Sequence, residues 1–216
     1  MIRLSKLPKP RVLAKNERTW REEYLRYIRE GRSAPKSTRF RYRHSDIKSA
    51  IRRETADKCA YCESKISHSQ PGDTEHIRPV SKFPAEIVLW ENLTLVCRAC
   101  NAEKSDYHDE AEPLVHPYQD DPEAHIHFLG PLACHKPADG KGLRTVRLLD
   151  LNRSGLIERR NERLLQLSPL VDQWAACPEG PTKNLLRDEI ATYAAKDREY
   201  SASIRCFLQQ HAGLSF

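Results

Sequence analysis

Four cysteines, arranged as two Cys-x-x-Cys pairs, are the residues in this chain whose spacing most clearly predicts chemistry. Cys59 and Cys62 form the first pair, Cys97 and Cys100 form the second, and 34 residues separate the pairs. Four thiolates satisfy tetrahedral zinc and leave no open coordination position. The pattern therefore predicts a structural zinc ion that holds together the two ends of the intervening segment. A redox pair or unrelated thiols are the alternatives, and two matched pairs favour zinc.

Side chains suited to hydrolysis lie between the cysteine pairs and just after the second pair. Cleavage of a phosphodiester needs an activated water, stabilisation of charge on the phosphate and help for the leaving oxygen. His76 can act as the base, because the ordinary pKa of histidine lies near neutral pH. Glu75 and Asn101 offer hard oxygens that suit Mg²⁺ or Mn²⁺, and Asp73 is a further ligand candidate. Asn92 can hydrogen-bond either the backbone or the imidazole and fix the orientation of the base.

A plainer interpretation of the same residues has to be weighed. A Glu-His pair alone is more often an exposed carboxylate beside a structural histidine, and only its position between two zinc-ligand pairs favours catalysis.

The remaining cysteines have no partners at such spacing, and we interpret them as buried or incidental thiols; they are Cys134, Cys177 and Cys206.

The bulk composition limits the class of protein. With 216 residues, of which 39% are hydrophobic and 31% charged, the chain suits a soluble protein with one large domain or a small catalytic core with appendages. No apolar run approaches the roughly 20 residues that span a bilayer. The basic N-terminus lacks the apolar segment of a secretory signal, so we expect a cytoplasmic protein and no membrane contact.

Positive charge is concentrated in the first part of the chain. Residues 1–58 contain 18 Lys and Arg against 7 Asp and Glu, a balance of +11, whereas residues 59–216 carry a balance of −5. A nucleic-acid backbone beside the predicted metal site would favour this distribution. A solvated basic surface and an acidic protein partner remain alternatives.

Short helices and strands are predicted around these residues, which indicates an α+β fold. On the N-terminal side we expect an extended arm to residue 15, a helix over Glu17–Glu30 capped by Asn16, a linker over Arg32–Arg43, and a helix over Asp46–Thr55 capped by Ser45. Between and after the cysteine pairs we expect strands over Asp73–Val80 and Leu93–Val96 and a helix over Arg98–Lys104. The candidate site therefore has a strand–strand–helix order.

The C-terminal half predicts a hairpin followed by helices. The hairpin strands are expected over Ile126–Leu132 and Leu143–Leu149, because both runs are apolar and the residues between them include proline and glycine. A helix beginning after Asn152 or Ser154 is expected to end near Pro169, and a last helix to cover Lys183–Gln210.

The linker over Arg32–Arg43 alternates cations with aromatic rings. Arg39, Arg41 and Arg43 are interleaved with Phe40 and Tyr42. Such a pattern is able to follow a nucleic-acid backbone and stack on exposed bases. An ordinary surface loop is the alternative.

The segment with the cysteine pairs resembles the HNH endonucleases, in the subgroup whose ββα-metal core is braced by a four-cysteine zinc. The matching pieces are Glu75-His76-Ile77-Arg78-Pro79, Glu91-Asn92-Leu93 and the run from Cys97 to Asp106. The resemblance implies that His76 is the general base, that Asn92 positions it, that Glu75 and Asn101 hold a catalytic divalent metal, and that Lys104 lies close to the phosphate. The chain differs from the founding pattern by having Asn101 where a last histidine would stand and Glu75 where aspartate is frequent, which leaves the metal preference open.

The flanking segments resemble a narrower group, the HNH nuclease of the Septu antiphage pair and of retron-associated ATPase/HNH pairs. The similarity is carried by the opening residues, the YRHSDIKSAI helix, CAYCESKISH, the HPYQDDPEAH loop and RLLDLNRSGLIERR. It implies a defence nuclease that works with an ABC-type ATPase. We expect its nucleic-acid substrate to be DNA, with RNA as the alternative. A stand-alone restriction-type nuclease and an inactive zinc-knuckle nucleic-acid-binding or adaptor protein are the alternatives.

The resemblance also suggests how the chain is organised. We expect a basic arm and helices over 1–58, the zinc-braced nuclease core over 59–108, and a loop, hairpin and helices over 109–216. The loop over residues 116–127 contains His116, Asp120, Asp121, His125 and His127. A further metal site is one interpretation, but a structured loop or a contact with the ATPase is favoured because His-Asp loops arise readily.

Overall fold

A computed structural model describes residues 1–66 and 72–216 and shows an α+β protein in which helices predominate. The predicted fold class is confirmed. In chain order the elements are α1 (Arg11–Arg29), α2 (Lys36–Arg39), α3 (Ser45–Thr55), β1 (Asp73–His76), β2 (Leu93–Val96), α4 (Arg98–Lys104), α5 (Pro122–His125), β3 (Ile126–Leu129), β4 (Leu132–His135), α6 (Gly140–Leu148), α7 (Ser154–Ala176), α8 (Pro181–Ala194) and α9 (Ser201–Ala212).

The described chain divides into two compact units. The first comprises Leu4–Ala60 and Lys65–Pro113, and the second comprises Met1–Arg3, Tyr61–Ser64 and Leu114–Phe216. The three-part division at residues 58 and 108 stays a prediction. Among the described residues, no helix combines the length and the apolar character needed to cross a bilayer.

The first unit is built around an antiparallel strand pair followed by a helix. Strand β1 pairs with β2, so that Asp73 lies opposite Val96 and His76 lies opposite Leu93. Strand β2 is buried along its whole length, as its continuous apolar and β-branched sequence predicts. Helix α4 begins directly after it, with Cys97 at its N-cap. The predicted bounds of β2 and α4 are confirmed, and with them the strand–strand–helix order.

Helix α3 supports this strand pair. It contacts β2 and buries Ile47, Ala50 and Ile51, whose spacing puts them on one face of a helix. The predicted cap is displaced by one residue: the His44 side chain, not that of Ser45, accepts from the Asp46 backbone N–H at 3.2 Å. The helix ends where Ala56 adopts a left-handed conformation.

Three expectations for the first unit are wrong in their bounds. Helix α1 begins at Arg11, not Glu17, because the Pro10 carbonyl accepts from the backbone N–H groups of the first turn and Leu13 is fully buried there. The predicted linker contains α2 and a 3-10 turn over Arg41–Arg43. Strand β1 ends at His76, not Val80, because the Arg78 N–H bonds the Asn92 side chain and Pro79 has no N–H.

The second unit contains a different hairpin from the predicted one. Strands β3 and β4 are joined by a tight turn at Gly130, whose φ of +55° favours glycine. The predicted second strand, Leu143–Leu149, instead lies largely in α6. The Asp139 side chain caps this helix by accepting from the Gly142 N–H at 2.9 Å. Gly142 is required there, because a Cβ atom would lie 2.4 Å from the His125 carbonyl oxygen.

The C-terminal helices also differ from expectation. Helix α7 passes through Pro169 and continues to Ala176. An interior proline costs about 3 kcal/mol, but Leu164, Leu167 and Val171 are buried on both sides of it, each contributing about 1.5–3 kcal/mol. The predicted last helix is in fact two helices, α8 and α9. Tyr200 is left-handed between them, which lets both helices share the α7 core.

Candidate active site

The four cysteines form one cluster. Their Sγ atoms all lie within 4.8 Å of one another, with Cys59, Cys62 and Cys100 buried and Cys97 half-buried. Tetrahedral zinc with Zn–S bonds of about 2.3 Å would place the sulfurs roughly 3.8 Å apart. The Cys100 backbone N–H approaches Cys97 Sγ at 3.5 Å, at the start of α4, where a helix N-terminus favours a thiolate. The cluster therefore fits the predicted structural zinc in number, kind and spacing of donors.

The surroundings of Cys62 include a cation that the sequence did not indicate. Arg160 of α7 is 2% exposed, donates to the carbonyls of Pro131 and Leu151, and lies close enough to Cys62 and Glu63 to interact with their charges. Four thiolates around one zinc ion leave a net negative charge, and a buried guanidinium opposes it. An arginine so distant in sequence from the cysteines carries no local signal of this role.

His76, the predicted base, ends β1 and is 8% exposed. Its Nε2 lies 2.8 Å from the Ile87 carbonyl oxygen. A carbonyl only accepts hydrogen bonds, so Nε2 carries the proton and Nδ1 of the neutral ring keeps a lone pair. Burial lowers the pKa of His76 to about 4, and the charges of Lys104 and Arg43 act in the same direction. The imidazole is therefore neutral at pH 7 and is able to accept a proton.

A tyrosine that the sequence did not single out as a site residue fixes the other side of this imidazole. Tyr42 packs edge-to-face against His76, with ring centroids 4.6 Å apart and an interplanar angle of 71°. The pair of contacts, Tyr42 against the ring and Ile87 at Nε2, restricts the orientation of the base.

Asn92 takes the first of its two predicted options and binds the backbone. Its Oδ1 accepts from the Arg78 N–H at 2.7 Å, and its Nδ2 donates to the Arg78 carbonyl at 2.9 Å. The Asn92 carbonyl also accepts from the Ile77 N–H at 2.9 Å. Asn92, which is 4% exposed, therefore fixes the backbone immediately after His76.

Glu75 and Lys104 form a buried ion pair. Lys104 Nζ lies 2.8 Å from Glu75 Oε1 and 3.1 Å from the His76 carbonyl oxygen. Burial raises the pKa of Glu75, and the nearby Lys104 ammonium opposes that rise. The immediate partners of Lys104 are thus a carboxylate and a carbonyl. Its predicted position near a phosphate stays a prediction.

Asn101 lies one helical turn before Lys104 and faces the same strand. Its Nδ2 donates to Asp73 Oδ2 at 3.0 Å. Asp73 and Glu75 share one face of β1, and Asn101 and Lys104 share one face of α4. These two faces meet, so that Asn101 bonds Asp73 and Lys104 bonds Glu75. The carboxylates of Asp73 and Glu75 and the amide oxygen of Asn101 supply hard oxygen donors, which fit Mg²⁺ or Mn²⁺.

The loop with His116, Asp120, Asp121, His125 and His127 uses most of these polar groups internally. His116 Nδ1 accepts from the backbone N–H groups of Tyr118 and Gln119, and Asp120 pairs with Lys141 at 2.6 Å. Asp121 caps α5, and His125 pairs with Asp139 at 2.7 Å. Within residues 1–66 and 72–216, the four cysteines are the group of three or more His, Cys, Asp and Glu side chains that lie close enough together to share an ion. This supports a structured loop over a second metal site.

Known proteins share this arrangement of motifs. The family model described as HNH endonuclease matches residues 59–107. Two curated relatives are each called Septu protein PtuB. The protein from Bacillus thuringiensis is 36% identical over 107 residues, which cover 49% of this chain and 41% of the relative. The protein from Bacillus mycoides (strain KBAB4) is 26% identical over 150 residues, covering 55% of this chain and 51% of the relative.

The chain thus matches about half the length of these curated relatives or less. The family match itself begins at the first cysteine pair and ends just after α4. It includes the cysteine cluster, the β1–β2 pair and the helix that faces them. Residues 59–107 of the chain are therefore an HNH endonuclease domain.

Proposed function

We propose that this chain is a metal-dependent endonuclease that hydrolyses phosphodiester bonds of nucleic acid, and that it acts in antiphage defence together with an ABC-type ATPase. One observation carries the nuclease proposal. A neutral histidine with an available Nδ1 lone pair lies next to Glu75 on β1, and α4 holds Asn101 opposite that strand, within a domain of the HNH family.

The protein's own groups divide the chemistry among them. His76 takes a proton from the attacking water at Nδ1, while the Ile87 carbonyl holds the ring in the required tautomer. Asn92 keeps the strand end in place. Glu75 and Asn101, with Asp73 beside them, would hold the divalent ion. When bound, that ion would stabilise charge on the phosphate and on the leaving oxygen.

Lys104 and the cysteines support these groups. Lys104 balances the charge of the buried Glu75 carboxylate, so that a metal ligand can remain ionised away from water. The four thiolates would bind zinc and join the segment before β1 to the start of α4.

The defence role and the ATPase partner rest on the likeness to the Septu PtuB proteins and on the flanking motifs. The basic residues of the first 58 positions suit either a nucleic-acid backbone or a docking surface. DNA is the proposed substrate, with RNA as the alternative, and the cytoplasm is the proposed location.

His76→Ala tests the proposal. The wild-type and variant chains, alone and co-expressed with a candidate ABC-type ATPase from the same genome, would be assayed on DNA and RNA with Mg²⁺ or Mn²⁺. We expect the cleavage rate to fall by about 10²–10⁴-fold, since a general base contributes that much. Zinc content should not change. His135→Ala, a half-buried histidine outside the HNH domain, is the matched control and should cut at the wild-type rate.

The outcomes separate the alternatives. Full activity in folded His76→Ala protein would show that the base is another residue. Cleavage that does not require the ATPase would favour a stand-alone nuclease. Zinc-loaded wild-type protein that cuts nothing, with or without the ATPase, would favour a binding or adaptor protein.

A further inference from the structure

The first unit contains a cleft of about 300 Å³ close to His76. Its walls come from α1, α2 and the 3-10 turn that follows α2. The lining residues are Trp20, Lys36, Ser37, Phe40, Arg41, Arg43 and His44. None of these residues belongs to the matched HNH segment. The cleft is therefore a feature that the catalytic motif does not explain.

A continuous set of ring contacts connects this cleft to the candidate base. Phe40 meets Tyr42 edge-to-face with centroids 6.2 Å apart, and Tyr42 meets His76 at 4.6 Å. The Arg43 guanidinium lies over both the Phe40 and the Tyr42 ring, at 4.5 and 5.5 Å. A ligand on Phe40 is thus connected to His76 through two aromatic side chains, Phe40 and Tyr42.

The cations around the cleft fall into two classes. Arg41 is committed to the fold, because it pairs with Glu23 at 2.7 Å and stacks over Trp20 at 5.6 Å. Lys36 and Arg43 line the cleft, and Arg39 lies beside it with its guanidinium 5.5 Å from the centre of the Phe40 ring. All three are exposed, and within the part of the chain that the structure describes no carboxylate lies within ion-pair distance of them. These three charges are therefore available to an anionic ligand.

The size and the rings of the cleft decide which form of nucleic acid suits it. About 300 Å³ is the lower limit of small-ligand pockets, a volume that suits a single nucleotide. A base pair in duplex DNA shows only its edges in the grooves, whereas the cleft wall contains two half-buried aromatic side chains, Trp20 and Phe40. An unpaired base exposes its face, and stacking of that face on aromatic side chains is how single strands are bound without sequence preference.

We propose that this cleft binds an unpaired nucleotide next to the phosphodiester that is cut, with the base against Trp20 and Phe40 and the flanking phosphates on Lys36, Arg39 and Arg43. The position relative to the cut bond rests on the proposed nuclease function, but binding in the cleft does not. The substrate is then single-stranded DNA, or a duplex with a locally unpaired strand.

Fluorescence anisotropy on the full chain tests the binding step separately from catalysis. The probes are a labelled oligothymidylate of about 12 nucleotides, the same backbone with abasic sites, and a duplex of equal length. No divalent metal is added, so that cleavage does not occur, and chelators are omitted to preserve zinc. Phe40→Leu keeps an apolar side chain but removes the ring, and Arg43→Gln removes one charge. Arg53→Gln, an exposed arginine on α3 outside the cleft, is the charge-matched control.

We expect Phe40→Leu to weaken oligothymidylate binding about tenfold and to abolish the advantage of oligothymidylate over the abasic strand. Arg43→Gln should lower the slope of log affinity against log salt by about 0.7, while Arg53→Gln changes affinity less than about twofold. Wild-type affinity in both cleft variants would overturn the proposal, as would equal losses for the duplex and the single strand. If His76→Ala still cuts while Phe40→Leu no longer prefers bases, the catalytic assignment fails and the cleft stands. If instead His76→Ala no longer cuts and Phe40→Leu still prefers bases, the cleft proposal fails and the catalytic assignment stands.

Discussion

The two candidate metal-binding regions of the HNH domain differ in how their donor atoms are already engaged. In the cysteine cluster, four donors of one kind are gathered within 4.8 Å of one another, and three of the four residues are buried. In the Asp73–Glu75–Asn101 region, each named donor has a polar partner on the facing element: Lys104 for Glu75 and Asn101 for Asp73. The first region supplies all four donors that tetrahedral zinc needs, whereas the carboxylates of the second are bonded to side chains of α4.

The two arrangements of donors suit different roles. A closed thiolate sphere has no position for a substrate, so its contribution is to folding. Carboxylates that are held by hydrogen bonds and one ammonium group keep their positions without an ion. Such donors are able to take up and release a divalent metal without loss of the surrounding fold. Substitutions in the two regions should therefore affect different measurements.

The largest effect is expected from Cys97→Ser. Apparent zinc binding in small zinc domains is worth about 10–16 kcal/mol, and a domain is stable by only about 5–15 kcal/mol. Loss of one thiolate at the start of α4 should therefore unfold the HNH domain. Zinc content by elemental analysis should fall below the wild-type level, and the thermal transition should broaden or disappear.

Cys177→Ser is the control for that prediction, because Cys177 lies at the C-terminal end of α7, outside the cluster. It should keep full zinc content and the wild-type melting temperature. If Cys97→Ser also melted as the wild type with zinc bound, the cluster would not be a structural zinc site, and the contrast between the two regions would disappear.

A smaller effect is expected from Lys104→Met, which breaks the buried ion pair in the second region. Methionine fits the space of the lysine stem but leaves the Glu75 carboxylate buried without a cation. Removing one partner of a buried pair costs about 3–5 kcal/mol. Urea unfolding should show this loss, with zinc content unchanged. Lys48→Met, on the exposed face of α3, makes the same change of side chain and should cost less than about 0.5 kcal/mol.

A loss of about 3–5 kcal/mol in Lys104→Met would show that the Lys104 ammonium stabilises the fold by pairing with Glu75. Wild-type stability combined with weaker binding of nucleic acid would instead favour the role that the family resemblance implies, a contact with the phosphate. The two results separate a partner of the metal ligand from a partner of the substrate.

The parts of the fold that the sequence predicted are those with strong short-range signals. Strand β2 is a short β-branched run, and α4 begins directly after Cys97, so neighbouring residues determine both elements. The strand predicted over residues 143–149 is wrong because a short apolar run fits a strand and a helix equally well. The Asp139 cap, which decides for the helix, lies outside the run. The helix end predicted near Pro169 is also wrong, because the burial of apolar side chains on both sides of the proline outweighs one lost hydrogen bond.

The candidate site was predictable where motif spacing carries it and unpredictable where distant segments meet. Glu75, His76, Asn92 and Asn101 follow from their order around the cysteines. The position of Tyr42 against His76 and that of Arg160 near Cys62 depend on tertiary packing between residues far apart in sequence. A single sequence contains no periodicity that reports such contacts.

The smallest effect is expected from Asp73→Asn, which tests how many oxygens the second region needs. Asparagine keeps an oxygen that accepts from Asn101 Nδ2 and loses only the charge, so unfolding free energy should change by less than about 0.5 kcal/mol. If Glu75 and Asn101 are the protein ligands and Asp73 only orients Asn101, the Mn²⁺ concentration for half-maximal cleavage should rise less than about tenfold, the equivalent of about one hydrogen bond. Glu75→Gln, measured in parallel, should raise it far more. A rise in Asp73→Asn as large as that in Glu75→Gln would make Asp73 a ligand in its own right. The second region would then resemble the first, with its function set by a fixed group of anionic donors.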